Sequence, residues 1–152
     1  MTSRSLAPVV ARVSHRFRAA PERVFDAWID PRMASRFLFA TGEGTIGRCE
    51  IDARVGGEWS ITDRRADGDV EHRGQYVEID RPRRLVFTFQ VPKYAQSIDR
   101  VEIDIVPDGD GGCELTLTHT LAPEAADWAD AAARGWSGIL RKQEEALESS
   151  AS

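Results

Sequence analysis

Four side chains in this sequence are of types that exchange protons in enzymes: Asp63, Tyr76, Glu78 and His119. His119 ends an alternating segment, residues 115–119, and shares its apolar face, so we expect it to point inward. An inward neutral His forms a hydrogen bond with a ligand, or is satisfied by a neighbouring strand or by water. The sequence leaves both roles open.

Tyr76 and Glu78 lie two residues apart in a predicted strand, so we expect them to share one face. For Glu78 we favour an ion pair with an arginine over a buried carboxylate that acts as acid or base. If the proton-exchanging groups met in one cavity, they would suit cyclase or dehydratase chemistry.

Large apolar residues recur on the predicted inward faces of the strands and of one helix. Such side chains mostly serve core packing, but apolar walls with a few polar groups also line ligand pockets. Phe37 and Phe39, after the short helices, are expected either at the mouth of such a pocket or in loop packing. The predicted ligand-binding set is Phe37, Trp59, Ile61, Tyr76, Phe87, Phe89, Ile103, His119, Trp136 and Leu140.

No motif in the sequence has the spacing and context of a metal site or a dinucleotide site. The three histidines and the two cysteines, Cys49 and Cys113, lie far apart and lack metal-ligand spacing. The G-x-G-x-x-G pattern at residues 42–47 follows a predicted helix and leads into a strand, the reverse of a dinucleotide site. We therefore expect no metal, no cofactor and no catalytic residue set.

Length and charge describe an ordinary globular chain. Its 152 residues suit one domain, residues 1–152, with a core of about 9–147, and the net charge of −5 gives no electrostatic reason to bind nucleic acid or anionic membrane. The first residues lack the apolar segment of a signal peptide, and no apolar run is long enough to span a membrane. We expect a cytoplasmic protein with reduced cysteines.

The elements that would position these residues follow from periodicity. Residues 9–17 alternate as a strand, a helix begins at Pro21, and Asp30 caps a second short helix that runs through Phe37. Residues 49–55, 59–63, 74–79, 85–90, 101–105 and 115–120 then alternate as strands joined by turns, which indicates an antiparallel meander.

A long helix is predicted from Pro123, because apolar residues recur every three or four positions and should pack on the sheet. Gly135 and Gly138 lie inside it and cost about 1 kcal/mol each relative to Ala. We expect that the helix breaks there, or that it needs a close backbone approach or free space. The predicted stripe comprises Trp128, Ala132, Trp136, Leu140, Gln143 and Leu147.

Four segments carry a family resemblance through their order and spacing. They are D-x-R-x-G-G at 52–57, G-x-Y-x-E-I-x-x-P-x-x-L-x-F-T at 74–88, L-T-L-T-H at 115–119 and G-W-x-x-x-L at 135–140. Together they resemble the domain shared with activators of the Hsp90 ATPase, within the START-like (Bet v 1-like, SRPBCC) helix-grip superfamily. The resemblance covers about residues 9–147.

The resemblance implies an α+β helix-grip fold. A curved antiparallel sheet of about seven strands surrounds a long C-terminal helix, two short helices follow the first strand, and the cavity between sheet and helix holds apolar ligands in many relatives. Eukaryotic co-chaperones of this family carry an additional N-terminal domain that we do not expect here, so their activity does not simply transfer.

Three hypotheses follow for function. The first is a bacterial-type, cytosolic binding domain that holds an apolar or amphipathic small molecule between the sheet and the C-terminal helix. The second is an interaction module with a protein partner, a chaperone ATPase. The third is a cyclase- or dehydratase-type enzyme that uses the same cavity.

Overall fold

The computed structural model describes residues 9–38, 45–66, 68–93 and 97–150. A first strand, β1 (Val9–Phe17), is followed by two short helices, α1 (Pro21–Ile29) and α2 (Pro31–Phe37). The start of α2 is capped as expected, because the Asp30 carboxylate accepts the Arg32 N–H at 3.0 Å. None of the helices in this part of the chain combines the length and apolarity needed to cross a lipid bilayer.

Six further strands and a long helix complete the fold. The strands are β2 (Thr45–Ile51), β3 (Glu58–Arg65), β4 (Gly68–Asp80), β5 (Arg84–Phe89), β6 (Asp99–Pro107) and β7 (Cys113–Leu121). A 3₁₀ segment (Pro123–Trp128) leads into α3 (Ala129–Ser150). The predicted α+β architecture, a seven-stranded antiparallel sheet with a long C-terminal helix, is confirmed.

The sheet has the order β1-β7-β6-β5-β4-β3-β2, and its seven strands are antiparallel to their neighbours. α3 packs along β1 and against α2, so the two short helices lie between α3 and the far half of the sheet. One polar residue links these layers: the buried Gln143 of α3 accepts the Trp28 indole N–H at 3.1 Å and donates to the Val24 carbonyl at 3.0 Å. The core therefore lies between the sheet and all three helices.

Two predicted strand boundaries are wrong. β2 ends at Ile51 instead of Val55, because Asp52 donates its backbone N–H to Glu58 and Arg54 donates to Asp52, which turns the chain. Val55 is consequently 63% exposed. β4 begins at Gly68, earlier than the predicted Gly74, and this places His72 on its inward face.

The prediction for Trp128 is also wrong. This residue ends the 3₁₀ segment and is 68% exposed, so it does not pack on the sheet. From Trp136 onward the helix face is buried as expected, with Leu140, Gln143 and Leu147 all below 5% exposure. Trp128 does not share the buried face with the rest of the predicted stripe, because the tighter winding of the 3₁₀ segment rotates its side chain away from that face.

α3 is continuous through Gly135 and Gly138, and of the three expectations only free space is met. A Cβ at Gly135 would meet nothing within 4 Å, and one at Gly138 only the Arg141 guanidinium, at 3.8 Å. Gly135→Ala is therefore expected to raise the free energy of unfolding by about 1 kcal/mol, since it removes the helix cost without a clash. Urea denaturation at a few micromolar protein checks this, and a loss of stability would contradict it.

Candidate functional site

Between α3 and the sheet, beneath Trp136, lies a cluster of aromatic rings. Phe89 lies at its centre, with ring centroids 5.4 Å from His119, 5.8 Å from Trp136, 6.1 Å from His72 and 6.3 Å from Trp59. These rings come from β3, β4, β5, β7 and α3. The cluster therefore joins the helix to the sheet.

His119 is held from both sides of its ring. Its Nδ1 accepts the Trp136 indole N–H at 3.0 Å, and its Nε2 lies 2.8 Å from Asp99 Oδ2. Because Nδ1 is an acceptor, we assign the proton of the neutral ring to Nε2, which donates to the carboxylate. Neighbouring side chains thus engage both ring nitrogens, as in the satisfied role considered above.

An internal cavity lies on the other side of the cluster, beneath α1 and α2. Its volume is about 10 Å³, close to the space that one water molecule needs. Among the described residues the walls are apolar except for one hydroxyl and the N–H groups of two indole rings. They comprise Trp28, Leu38, Ile51, Trp59, Ile61, Tyr76, Leu85 and Phe87.

That hydroxyl belongs to Tyr76, which is 4% exposed and donates no hydrogen bond to any residue in the described ranges. Burial raises the pKa of Tyr76 above its usual range, so it stays neutral and keeps its proton. Cys49, nearby on β2, has its pKa raised to about 11, mainly by burial, and is no thiolate at neutral pH. The cavity thus offers one neutral hydroxyl in a mostly apolar surrounding.

The structure divides the predicted ligand-binding residues into three sets. Trp59, Ile61, Tyr76 and Phe87 line the cavity. Phe89, His119 and Trp136 belong to the aromatic cluster, and Phe37, Ile103 and Leu140 are fully buried in the core. Ligand binding by these residues stays a prediction, and Phe39 lies outside the described residues.

Four cavity residues were missing from the predicted set: Trp28, Leu38, Ile51 and Leu85. The sequence does show Trp28 on the apolar face of α1 and Ile51 and Leu85 on inward strand faces. What it does not show is that α1 and α2 close this end of the sheet. That packing is tertiary, and no local pattern encodes it.

The four proton-exchanging groups are not assembled into one site. Asp63 is fully buried and receives the Arg65 guanidinium at 2.7 Å. The expectation that Tyr76 and Glu78 share a face is wrong, because a bulge at Val77 shifts the register and turns Glu78 to the outer face of β4. There Arg84 binds it at 3.1 Å, which is the ion pair favoured above.

His72 is a buried titratable residue that the sequence analysis did not identify, because the predicted strand began only at residue 74. The alternation of Val70, His72 and Tyr76 on the inward face of β4 is the signal that could have identified it. Burial lowers its pKa from 6.5 to about 4, chiefly by desolvation, and Arg65 opposes its protonation as well. Asp63 and the backbone carbonyls of Ile61 and Val70 raise the pKa of His72, but their effect is smaller than that of burial.

This shift predicts an acid-sensitive fold. Between pH 6.5 and about 4 the unfolded chain binds the His72 proton and the folded chain does not, so stability falls as pH drops through that window. The full loss amounts to about 3 kcal/mol. Unfolding of the wild type and of His72→Phe, compared at pH 7.5 and pH 4.5, checks it: the variant should show a smaller pH dependence, and equal dependence would contradict the assignment.

A larger concavity lies elsewhere, on the outer face of β2–β5. It measures about 730 Å³ but is an open groove. Its walls are mostly polar or charged, with Glu50, Glu71, Arg73, Gln75 and Thr88 among them. An open polar groove does not remove an apolar ligand from water, so we place the candidate site in the small cavity between buried apolar side chains instead. No group of three potential metal ligands occurs within the described ranges.

One protein-family model matches most of this chain. The family model described as Activator of Hsp90 ATPase homolog 1-like protein matches residues 18–148. No curated protein matches the sequence.

Solved structures share the fold at low identity. A protein of unknown function from Staphylococcus aureus matches with a TM-score of 0.84 at 17% identity, covering 95% of this chain and 96% of that one. A protein from Chromobacterium violaceum gives 0.79 at 22% identity, covering 90% and 94%. An Hsp90 activator from Plasmodium falciparum gives 0.72 at 20% identity, covering 92% and 96%.

Proposed function

This chain belongs to the Activator of Hsp90 ATPase homolog 1-like family, and from that premise we propose that it is a binding domain for a small, neutral, largely apolar molecule. The observation that carries the proposal is the small cavity between buried, mostly apolar side chains, with the Tyr76 hydroxyl in its wall. A ligand with one polar atom would form a hydrogen bond with this hydroxyl and add apolar contacts.

The chemistry of the walls limits the ligand to a neutral molecule. Among the described residues no charged side chain lines the cavity, so a bound carboxylate or ammonium would find no counter-charge there. Trp28, Trp59 and Phe87 present aromatic rings, which favour a flat aromatic or polyene body. The preferred class is therefore an aromatic molecule with one hydroxyl or carbonyl group that reaches Tyr76.

Binding requires the cavity to expand beyond its present volume of about 10 Å³. The wall to move is Leu38 with α2, because α2 has only seven residues, whereas β3, β4 and β5 are interior strands of the sheet. The ligand would displace Leu38 from Ile51 and Trp59. A water in this space would have few polar partners, so its displacement by an apolar group favours binding.

Tyr76→Phe provides the test, since it removes one hydroxyl and leaves the cavity shape unchanged. A panel of neutral phenols, aryl ketones and matched hydrocarbons is titrated against wild type and variant, with tryptophan emission as the readout. Tyr76→Phe should weaken binding of the polar members about threefold to tenfold and leave the hydrocarbons unchanged. Failure of the whole panel to bind wild type, or equal losses for both ligand sets, would overturn the proposal.

A second candidate is a module that acts on a chaperone ATPase. One observation favours it: the match to the Plasmodium falciparum Hsp90 activator extends over 96% of that chain. Addition of this protein to the Hsp90 of the same organism should then raise ATP hydrolysis. An unchanged rate with the protein at tens of micromolar would exclude this candidate.

A further inference from the structure

The exposed flank of α3 and of the 3₁₀ segment before it carries a tryptophan that nothing in the described chain covers. Trp128 is 68% exposed, the largest exposed fraction among the large hydrophobic residues of the described chain. Ala131, Gly135 and Gly138 follow it at spacings of three, four and three, which places them along one helix flank. We call these four residues the α3 seam.

The two glycines of the α3 seam leave a patch of helix surface without side chains, which we call the Gly135–Gly138 trough. A methyl group on the Gly135 Cα would have no neighbour within 4 Å, and one on Gly138 would have only the Arg141 guanidinium, at 3.8 Å. The glycines cost helix stability, about 1 kcal/mol each, and no group of the described chain fills the space they create. The trough is therefore free to receive a bulky side chain from outside the chain.

Within residues 127–141 the charges beside the α3 seam are segregated. Asp127 and Asp130 lie at its start, and Arg134 and Arg141 lie further along. None of the four forms an ion pair with another described residue. A second copy in antiparallel orientation would bring its acidic start against this basic section, and a parallel copy would bring like charges together.

We propose that the α3 seam is a homodimer interface. Two copies meet about a two-fold axis with their α3 helices antiparallel, and Trp128 of each copy lies in the Gly135–Gly138 trough of the other. Such an isologous contact uses each feature twice, as two-fold symmetry requires. Because it joins one helix flank per copy, the interface is small, and we expect dissociation constants in the range of about 10–100 µM.

Charge reversal tests the proposal on the full chain by sedimentation velocity. The acid-reversed variant is Asp127→Arg with Asp130→Arg, and the base-reversed variant is Arg134→Asp with Arg141→Asp. Each alone places like charges across the interface and should weaken self-association at least tenfold. Mixed in equal amounts, the two should form a heterodimer, because every reversed charge then meets its opposite.

Two single substitutions complete the test. Trp128→Ala and Gly135→Leu should each weaken self-association, the first by removing the inserted side chain and the second by filling the trough. Ile98→Ala, which alters another exposed residue (64%), is the matched control and should leave it unchanged. A wild type that stays monomeric at several hundred micromolar, or a mixture of the two charge variants that stays monomeric, would overturn the proposal.

Discussion

Trp136→Ala is expected to lower the free energy of unfolding by about 4 kcal/mol, the effect of removing a fully packed aromatic residue. Trp136 is 3% exposed and contacts Trp28 and Phe89, and its indole N–H donates to His119. It is the one large apolar side chain among residues 129–138, which are otherwise mostly Ala and Gly. That part of the helix therefore depends on it for attachment to the sheet.

Two further variants separate packing from hydrogen bonding. Trp136→Phe keeps a ring but leaves His119 Nδ1 without its donor, so we expect a loss of about 2 kcal/mol. Trp128→Ala makes the same change as Trp136→Ala at a side chain that is 68% exposed, and at a few micromolar protein it should alter stability by less than about 0.5 kcal/mol. Urea denaturation measures all three. Similar losses for Trp136→Ala and Trp128→Ala would contradict the structure.

Gly74→Ala is the second substitution with a large expected effect, at least about 3 kcal/mol of destabilisation. A Cβ at this position would lie 1.8 Å from the Thr88 carbonyl oxygen and 2.7 Å from its carbonyl carbon, both of which are backbone atoms. Neither can move without distorting the contact between β4 and β5, which is already irregular here, with Arg73 and Gln90 forming an isolated bridge.

Gly135→Ala is the matched control for this prediction. The same substitution in open space should stabilise, so the two variants should move the urea midpoint in opposite directions. A Gly74→Ala protein within about 1 kcal/mol of wild type would show that the close approach of the two strands is absent.

Much of the fold was predictable because its signals are local. Alternation located all seven strands, Asp30 identified the boundary between α1 and α2, and the spacing from Trp136 to Leu147 identified the buried face of α3. The family resemblance supplied the connection between these elements. Two of the predictions that were wrong depend on small departures from regular geometry: the 3₁₀ winding before α3 and the bulge at Val77.

The candidate site was less predictable, for a physical reason. Inward-facing residues are visible in the sequence, but which of them touch one another depends on the packing of three layers. Phe89 and Trp136 fill the space beneath α3, and the remaining void lies beneath Trp28 and Leu38 instead. The polar links through Gln143 and through Asp99, His119 and Trp136 join elements that are remote in sequence, so no spacing rule identifies them.

Methyl-resolved NMR tests the central claim most directly. The cavity wall supplies methyl probes at Leu38, Ile51, Ile61 and Leu85, and matched probes lie elsewhere, at Ile98 in the outer groove and Leu147 in the core end of α3. On titration with the neutral phenols and aryl ketones, we predict shifts at the four cavity residues that saturate together, with Ile98 and Leu147 unchanged. Shifts confined to Ile98, or none at millimolar ligand, would contradict a ligand site in this cavity.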